Sequence, residues 1–207
     1  MELIQGLKER RSINFFELGQ DVPESKLKEL IEIANLAPSS FNLQPWKAII
    51  VKSAERKKVL KGCAFNQPKV AEASAVLIMI ADPNAVEDHM DRMLDNWQKL
   101  GYMKPEMRNT YKGMAQNLYG SVDSLKRKIF AVKNTALFAM NLMIAARGLG
   151  LETHPMDGFD EDCIKKEFNI PGDKIIPMLV AVGYLKSGIT LLPRAFRREI
   201  DEFVRFE

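Results

Sequence analysis

Residues 124–148, SLKRKIFAVKNTALFAMNLMIAARG, carry the longest helical pattern in the chain, and after Ile129 that pattern is apolar on nearly every side. A helix of this kind has no face to give to water and must be buried. The chain has 207 residues, 46% of them apolar, which suffices for one sizeable core and is short for two. Such a core does not readily surround a long helix, so the pattern predicts that another subunit covers part of it. AVLIMIA, residues 75–81, adds a second constraint: an unbroken apolar run predicts an interior strand covered on both faces.

The remaining bulk features remove function classes. Thirty basic and 27 acidic residues leave a net charge of +3, whereas a nucleic-acid binder gathers a larger basic excess on one face. No run of 18 apolar residues occurs, and the opening MELIQGLKERRS lacks the apolar centre of a signal peptide. A cytoplasmic protein with neither membrane nor nucleic acid as partner is expected. Cys63 and Cys163 lie far apart without a C-x-x-C pair and are expected to be free, partly buried thiols. The two histidines, His89 and His154, would need carboxylates to complete a zinc site. Neither lies near a G-x-S-x-G turn, so hydrolytic chemistry is poorly supplied.

Along the chain, residues 2–10 place Leu3, Ile4 and Leu7 on one helical face. In residues 23–36, Pro23 and Glu24 open a helix whose Leu27, Leu30, Ile31 and Ala34 share one side. Pro38 ends it. KAIIVK (47–52) reads as a strand, and Ser53 caps a short helix through Leu60, with Gly62 placed to stop it. From Asp82 to Tyr119, aromatic and Met residues are scattered among charges, with breaks at Gly101 and Pro105, predicting two helices outside the main core. After Gly150 come a short strand at 151–153, a turn HPMDGFD, a helix from Asp160 through Phe168, and a last strand at 174–184. Pro177 within that strand predicts a bulge or an edge position. The whole reads as one α/β domain, residues 1–207, with a helical insertion around 87–119 and an extension over 185–207.

The stretch APSSFNLQPWKAIIV (37–51) leaves two readings open: hydroxyls and amides offered to a ligand, or an ordinary connection between helix and strand. Three other stretches decide between them. RRS at 10–12, APSSFNLQPW at 37–46, FNQPK at 65–69 and HPMDGFD at 154–160, followed by an arginine-bearing tail, together resemble the nitroreductase family of FMN-dependent oxidoreductases. The likeness spans nearly the whole chain and is weakest over 82–120.

The resemblance implies a role for each stretch. Arg10 and Ser12, with Arg11 between them, match residues that bind the FMN phosphate, where a guanidinium can grip two oxygens at once. Pro38, Ser39, Ser40 and Asn42 match a loop that reaches the flavin of the other subunit, offering donors and acceptors without net charge. Asn66 and Lys69 match residues at the pyrimidine edge, where an ammonium stabilises the reduced ring. Asn14 stands where some relatives carry a second lysine at that edge, implying a flavin that is harder to reduce. Pro155, Met156, Asp157 and Gly158 match the segment beside flavin N5, with Asp157 where glutamate is common; Gly158 allows backbone to approach the ring. Arg194 and Arg197 match a basic pair that returns to the phosphate, although Arg198 could replace either.

The implied fold is an α/β (α+β) three-layer sandwich, with a central, mostly antiparallel sheet flanked by helices, in an intertwined homodimer. The implied activity is a ping-pong reductase that takes hydride from NADH or NADPH and passes it to a nitroaromatic, quinone or similar small-molecule acceptor. Trp97, Tyr102, Met103, Tyr111 and Tyr119 are the candidates to line the acceptor pocket, as part of a lid. The alternative is a flavin-binding store or redox sensor without turnover.

Overall fold

The computed structural model describes residues 3–207. Glu2, the first residue of the expected N-terminal helix, lies outside them. Four strands, β1 (Trp46–Val51), β2 (Ala75–Ala81), β3 (Glu152–Met156) and β4 (Ile175–Gly183), make one sheet in the order β1-β2-β4-β3. All three pairings are antiparallel. Around the sheet lie α1 (Leu3–Glu9), α2 (Glu24–Ala34), α3 (Ala54–Cys63), α4 (Pro68–Glu72), α5 (Ala85–Lys99), α6 (Arg108–Tyr119), α7 (Leu125–Gly148) and α8 (Glu161–Glu167).

The AVLIMIA run is explained by period two. Val76, Ile78 and Ile80 join one core with Leu60 of α3, Val70 of α4 and Ile164 of α8. Ala75, Leu77 and Met79 join the other, with Leu30 of α2 and Phe138 and Leu142 of α7. Successive side chains point to opposite faces, so a strand with helices on both sides has no position for a polar residue. Leu30, Leu77, Ile78 and Leu142 have no exposed surface, and burial of each contributes about 1.5–3 kcal/mol.

α7 starts at an N-cap in which the Ser124 hydroxyl accepts from the Arg127 N–H. Its buried side runs through Phe130, Asn134, Phe138, Leu142 and Ala146. On the other side Ile129, Leu137 and Met140 remain exposed. The sheet thus accounts for one face of this helix only.

α5 and α6 form the helical pair read from residues 82–119, and they bury more than expected. Val86, Met90 and Leu94 of α5 join Ala115 and Tyr119 of α6, Phe130 of α7, Met103 and Leu43 in a third core. A spacing of four residues from Val86 through Leu94, masked by intervening charges, supplies that face.

Several expectations need correction. α3 runs through Gly62 to Cys63; its end is made by Phe65 and Asn66, both left-handed at φ 51° and 58°, with the Asn66 N–H returning to the Lys61 carbonyl. HPM is not a turn but the second half of β3, and the chain leaves the sheet only at Asp157. Pro177 sits in an interior strand, and the bulge reading holds. Met79 faces Met178 while Ala81 faces Ile175, so β4 fits one more residue into this stretch than β2. Cys63 and Cys163 are not free thiols. α3 and α8 lie side by side, with Cα atoms 5.5 Å apart, and the two cysteines form a disulfide. A sequence separation of 100 hid the pairing.

Candidate functional site

Three of the four motifs converge at one end of the sheet. The segment after α1 lies along β3: Ser12 bridges Thr153, and the Ile13 N–H donates to the Thr153 carbonyl at 3.0 Å. Ile13 and Phe16 are buried beneath it, leaving Ser12 and Asn14 outward between two anchors. Lys69, the second residue of α4, donates to Asn14 Oδ1 at 2.8 Å and lies 3.1 Å from His154 Nε2. The Gln67 side-chain amide donates to the Gly158 carbonyl at 2.7 Å, and the Asp160 N–H donates to the Cys63 carbonyl at 2.8 Å. RRS, FNQPK and HPMDGFD are therefore one constellation.

Gly158 has a local reason. A Cβ there would stand 3.2 Å from the Gln67 amide nitrogen and 3.8 Å from Phe65. That is tight enough to disturb the bond between the two loops.

The tail folds back onto the first motif. Arg11 donates to the carbonyls of Leu192 at 2.9 Å and Pro193 at 3.3 Å. Arg194 donates to the carbonyls of Lys8 and Arg10, the latter at 2.9 Å. Arg10 itself is half-buried, and its Nη1 is a buried donor without a partner among the described residues. Burial pushes its guanidinium below the ordinary range, and the charges of Arg194 and Arg197 push it further, with Glu152 opposing. An unpaired cation among further cations is costly unless an anion completes it. Arg198 stacks on Phe203 within the tail, 5.1 Å from the ring centre. The charges that bear on Arg10 from the tail are those of Arg194 and Arg197.

The fourth motif stands apart from this constellation. Ser40 donates its N–H to Asn134 Oδ1 at 3.1 Å and shares a hydrogen bond between hydroxyls with Tyr119. Asn42 reaches Met93 Sδ at 3.4 Å, and the Ser39 hydroxyl accepts from the Gln44 N–H at 2.9 Å. Pro38 is exposed at the start of the loop. Among the described residues, no hydrogen bond joins this loop to the 10–14, 65–69 or 154–158 segments.

Backbone strain marks both places. Phe41, Asn42 and Gln44 have φ of 54°, 53° and 47°, and the pair Phe65–Asn66 was noted above. Non-glycine residues held in this region cost about 1–3 kcal/mol each, and such outliers gather at ligand sites.

The acceptor-pocket candidates divide. Tyr102 is exposed, whereas Met103 and Tyr119 are buried. Trp97 stacks on Phe41 with centroids 5.9 Å apart, and Tyr111 meets both rings edge-on. Phe65 was not singled out from sequence, yet it is 67% exposed beside Gly158. A large apolar side chain held left-handed at a motif edge is a signal that only backbone angles reveal. His154 as a partner of Lys69, and Tyr119 as a partner of Ser40, were likewise not legible.

A model of the nitroreductase family matches residues 7–184. The chain is 32% identical over 203 residues to a Bacillus subtilis protein named as an NAD(P)H nitroreductase, MhqN, covering 97% of this chain and 96% of that one. It is 33% identical over 175 residues to a Thermus thermophilus protein named NADH dehydrogenase, covering 84% and 82%. A crystal structure from Exiguobacterium sibiricum, described as a nitroreductase in complex with FMN, superposes with a TM-score of 0.88 at 28% identity, covering 100% and 98%.

Proposed function

The chain belongs to the nitroreductase family and is an oxidoreductase that works with FMN and NAD(P)H, and on that premise we propose that its site is shared between two subunits and serves a ping-pong reaction. Hydride enters from NADH or NADPH and leaves to a nitroaromatic, quinone or similar acceptor, the two substrates using one opening in turn. Bound FMN supplies the hydride chemistry at N5 of its ring.

The observation that carries the reading is the buried, unpartnered Arg10 Nη1. A phosphate monoester, with close to two negative charges and several acceptor oxygens, is the group such a donor lacks. Arg10, Arg11 and Ser12 would hold it, with Arg194 and Arg197 adding charge. Asn66 and Lys69 would meet the pyrimidine edge with Asn14 behind them. Pro155, Met156, Asp157 and Gly158 would border the ring face. Ser39, Ser40 and Asn42, with Pro38, belong to the partner's site, which accounts for their separation from the other motifs within one chain.

Two surface features support the dimer. Beside β1, whose outer edge has no strand partner among the described residues, lies a groove of about 720 Å³ lined in part by Leu27, Ile31, Ile49, Ile50, Val51 and Phe168. The tail meanwhile exposes Phe196, Ile200, Phe203 and Phe206. An apolar tail and an apolar groove at an open sheet edge suit exchange between two copies. The α5–α6 pair then borders the acceptor, through Tyr102 directly and through Trp97, Tyr111, Met103 and Tyr119 behind Phe41.

The test is the absorbance spectrum of the purified protein, followed by NADH or NADPH oxidation with an added quinone or nitroaromatic. A yellow protein releasing FMN and turning over both substrates is expected. Bound flavin that neither nicotinamide reduces would assign the protein to flavin storage or sensing instead.

A further inference from the structure

We propose that His154 is the positioning residue of Lys69: a neutral imidazole that, together with Asn14, aims the ammonium at the flavin edge and lets it go when protonated. The proposal rests on the flavin reading above. Three separate elements build the arrangement: the segment after α1 brings Asn14, α4 brings Lys69 and β3 brings His154.

The directions of the bonds follow from what each atom can do. His154 Nδ1 lies 2.9 Å from the Ile13 carbonyl, which can only accept, so Nδ1 carries the hydrogen. In the neutral ring, Nε2 is then a lone pair. The Lys69 ammonium is a donor without acceptor capacity, so it donates to Nε2 across 3.1 Å. Its second hydrogen goes to Asn14 Oδ1 at 2.8 Å. The third stays free for an acceptor on a ligand. A lysine stem left to itself samples many rotamers; two neutral acceptors from two directions select one.

A proton on Nε2 would abolish this arrangement. It would replace the acceptor with a donor and set two cations 3.1 Å apart. Burial first, and then the charge of Lys69, hold His154 below its ordinary value of 6.5, with the Ile13 bond opposing. Burial likewise lowers the Lys69 ammonium. The groups that bear on the ring are the Lys69 charge from α4 and the Ile13 carbonyl from the N-terminal segment; the neutral Asn14 amide reaches Lys69, and Ala181 is the register partner of His154 on β4. Lys69 is thus held at neutral pH and released as pH falls through the His154 value.

Two histidines in the chain make the test direct. In flavin-free protein, with His89→Gln to assign the resonances, NMR titration should place His154 below 6.5. Lys69→Met should move it upward. In the FMN-loaded protein, read by spectroelectrochemical midpoint, His154→Phe should lower the potential in the same direction as Lys69→Met and have no further effect in the double variant. His154→Gln keeps an acceptor that does not titrate. It should hold the parent potential at neutral pH and preserve its margin over Lys69→Met in acid, where the parent loses that margin. A His154 titration unmoved by Lys69→Met, or an equal His154→Phe effect with and without Lys69, would overturn the proposal. Protein that takes up no FMN would overturn the flavin reading itself, while the NMR arm still decides the contact.

Discussion

Tyr119, the last residue of α6, and Ser40, in the loop that enters β1, are joined hydroxyl to hydroxyl. Burial pushes the Tyr119 phenol up, with the Ser40 bond opposing, so it remains a neutral partner. Tyr119 also packs its ring on Phe130, with centroids 4.2 Å apart, and meets Phe41 edge-on at 6.2 Å. The helical pair α5–α6 therefore holds the shape of a motif loop far from it in sequence. Its distinct composition reflects that duty as well as any contact with an acceptor.

Tyr119→Phe keeps the ring and removes the bond. A stability loss of about 0.5–1.5 kcal/mol is expected in urea unfolding. Because Ser40 would lose one of its two anchors and keep only the bond to Asn134, flavin retention on ultrafiltration should fall a few-fold, consistent with about 1 kcal/mol. Unchanged retention would show that the loop's shape does not depend on α6.

Arg10→Ala tests the phosphate site. The interaction lost is a hydrogen bond to a charged partner, so FMN affinity should weaken by about 1.5–3 kcal/mol. The apo protein should not lose stability to match, because the guanidinium Nη1 has no partner there. Equal flavin loss on dilution for parent and variant would remove Arg10 from the site.

Much of this is legible in the sequence, for physical reasons that differ between elements. The two-faced burial of β2 and the caps at Ser53 and Asp160 are local consequences of period and side-chain chemistry. The motif stretches stood out through resemblance, and the fold brings three of them together. What stayed hidden is non-local. Cys63 meets Cys163 only because α3 and α8 pack together. The Lys69–His154 contact requires the start of α4 to meet the middle of β3, and Ser40–Tyr119 requires α6 to pack against α7. Left-handed Phe65 was hidden too, because nothing in its side chain announces it.

A buried charge cluster predicts acid sensitivity. Asp82, 1% exposed, accepts from Lys47 at 2.6 Å and Lys174 at 2.7 Å, and from the Asn84 N–H at 3.0 Å. Burial alone would raise its carboxyl, but these bonds outweigh it and hold the group below 3.8. A depressed native value means that the stabilisation is fully present above the unfolded value and disappears as pH falls through the native one. Lys174→Met should cost about 3 kcal/mol by leaving the buried carboxylate short of a partner. Chemical denaturation at pH 7 and pH 3 should show that penalty shrinking in acid. A penalty equal at both would mean that the ion pair is not its source.

The disulfide should stabilise through the loop it closes. Bridging residues 100 apart in sequence restricts the unfolded chain, an effect worth about 2–4 kcal/mol in typical cases. Thiol reductant should lower the denaturation midpoint of the parent and leave a Cys63→Ser/Cys163→Ser variant unmoved. Intact-mass analysis before and after alkylation verifies the bond. A parent midpoint indifferent to reductant would deny the bridge that contribution.

Removal of residues 195–207 tests the shared site. The segment exposes Phe196, Ile200, Phe203 and Phe206, side chains whose burial contributes about 1.5–3 kcal/mol each. If they seat in the partner's groove beside β1, truncation should shift sedimentation from dimer toward monomer. Flavin should be lost in step, since the site would miss Ser39, Ser40 and Asn42 from the partner as well as Arg197. Ile49→Asp, which places a charge in the groove without shortening the tail, separates the two causes. It should weaken the dimer while leaving every residue of the phosphate site in place. A truncated protein that stays dimeric would assign the groove to another occupant. A stable monomer holding stoichiometric FMN would overturn the shared-site reading altogether.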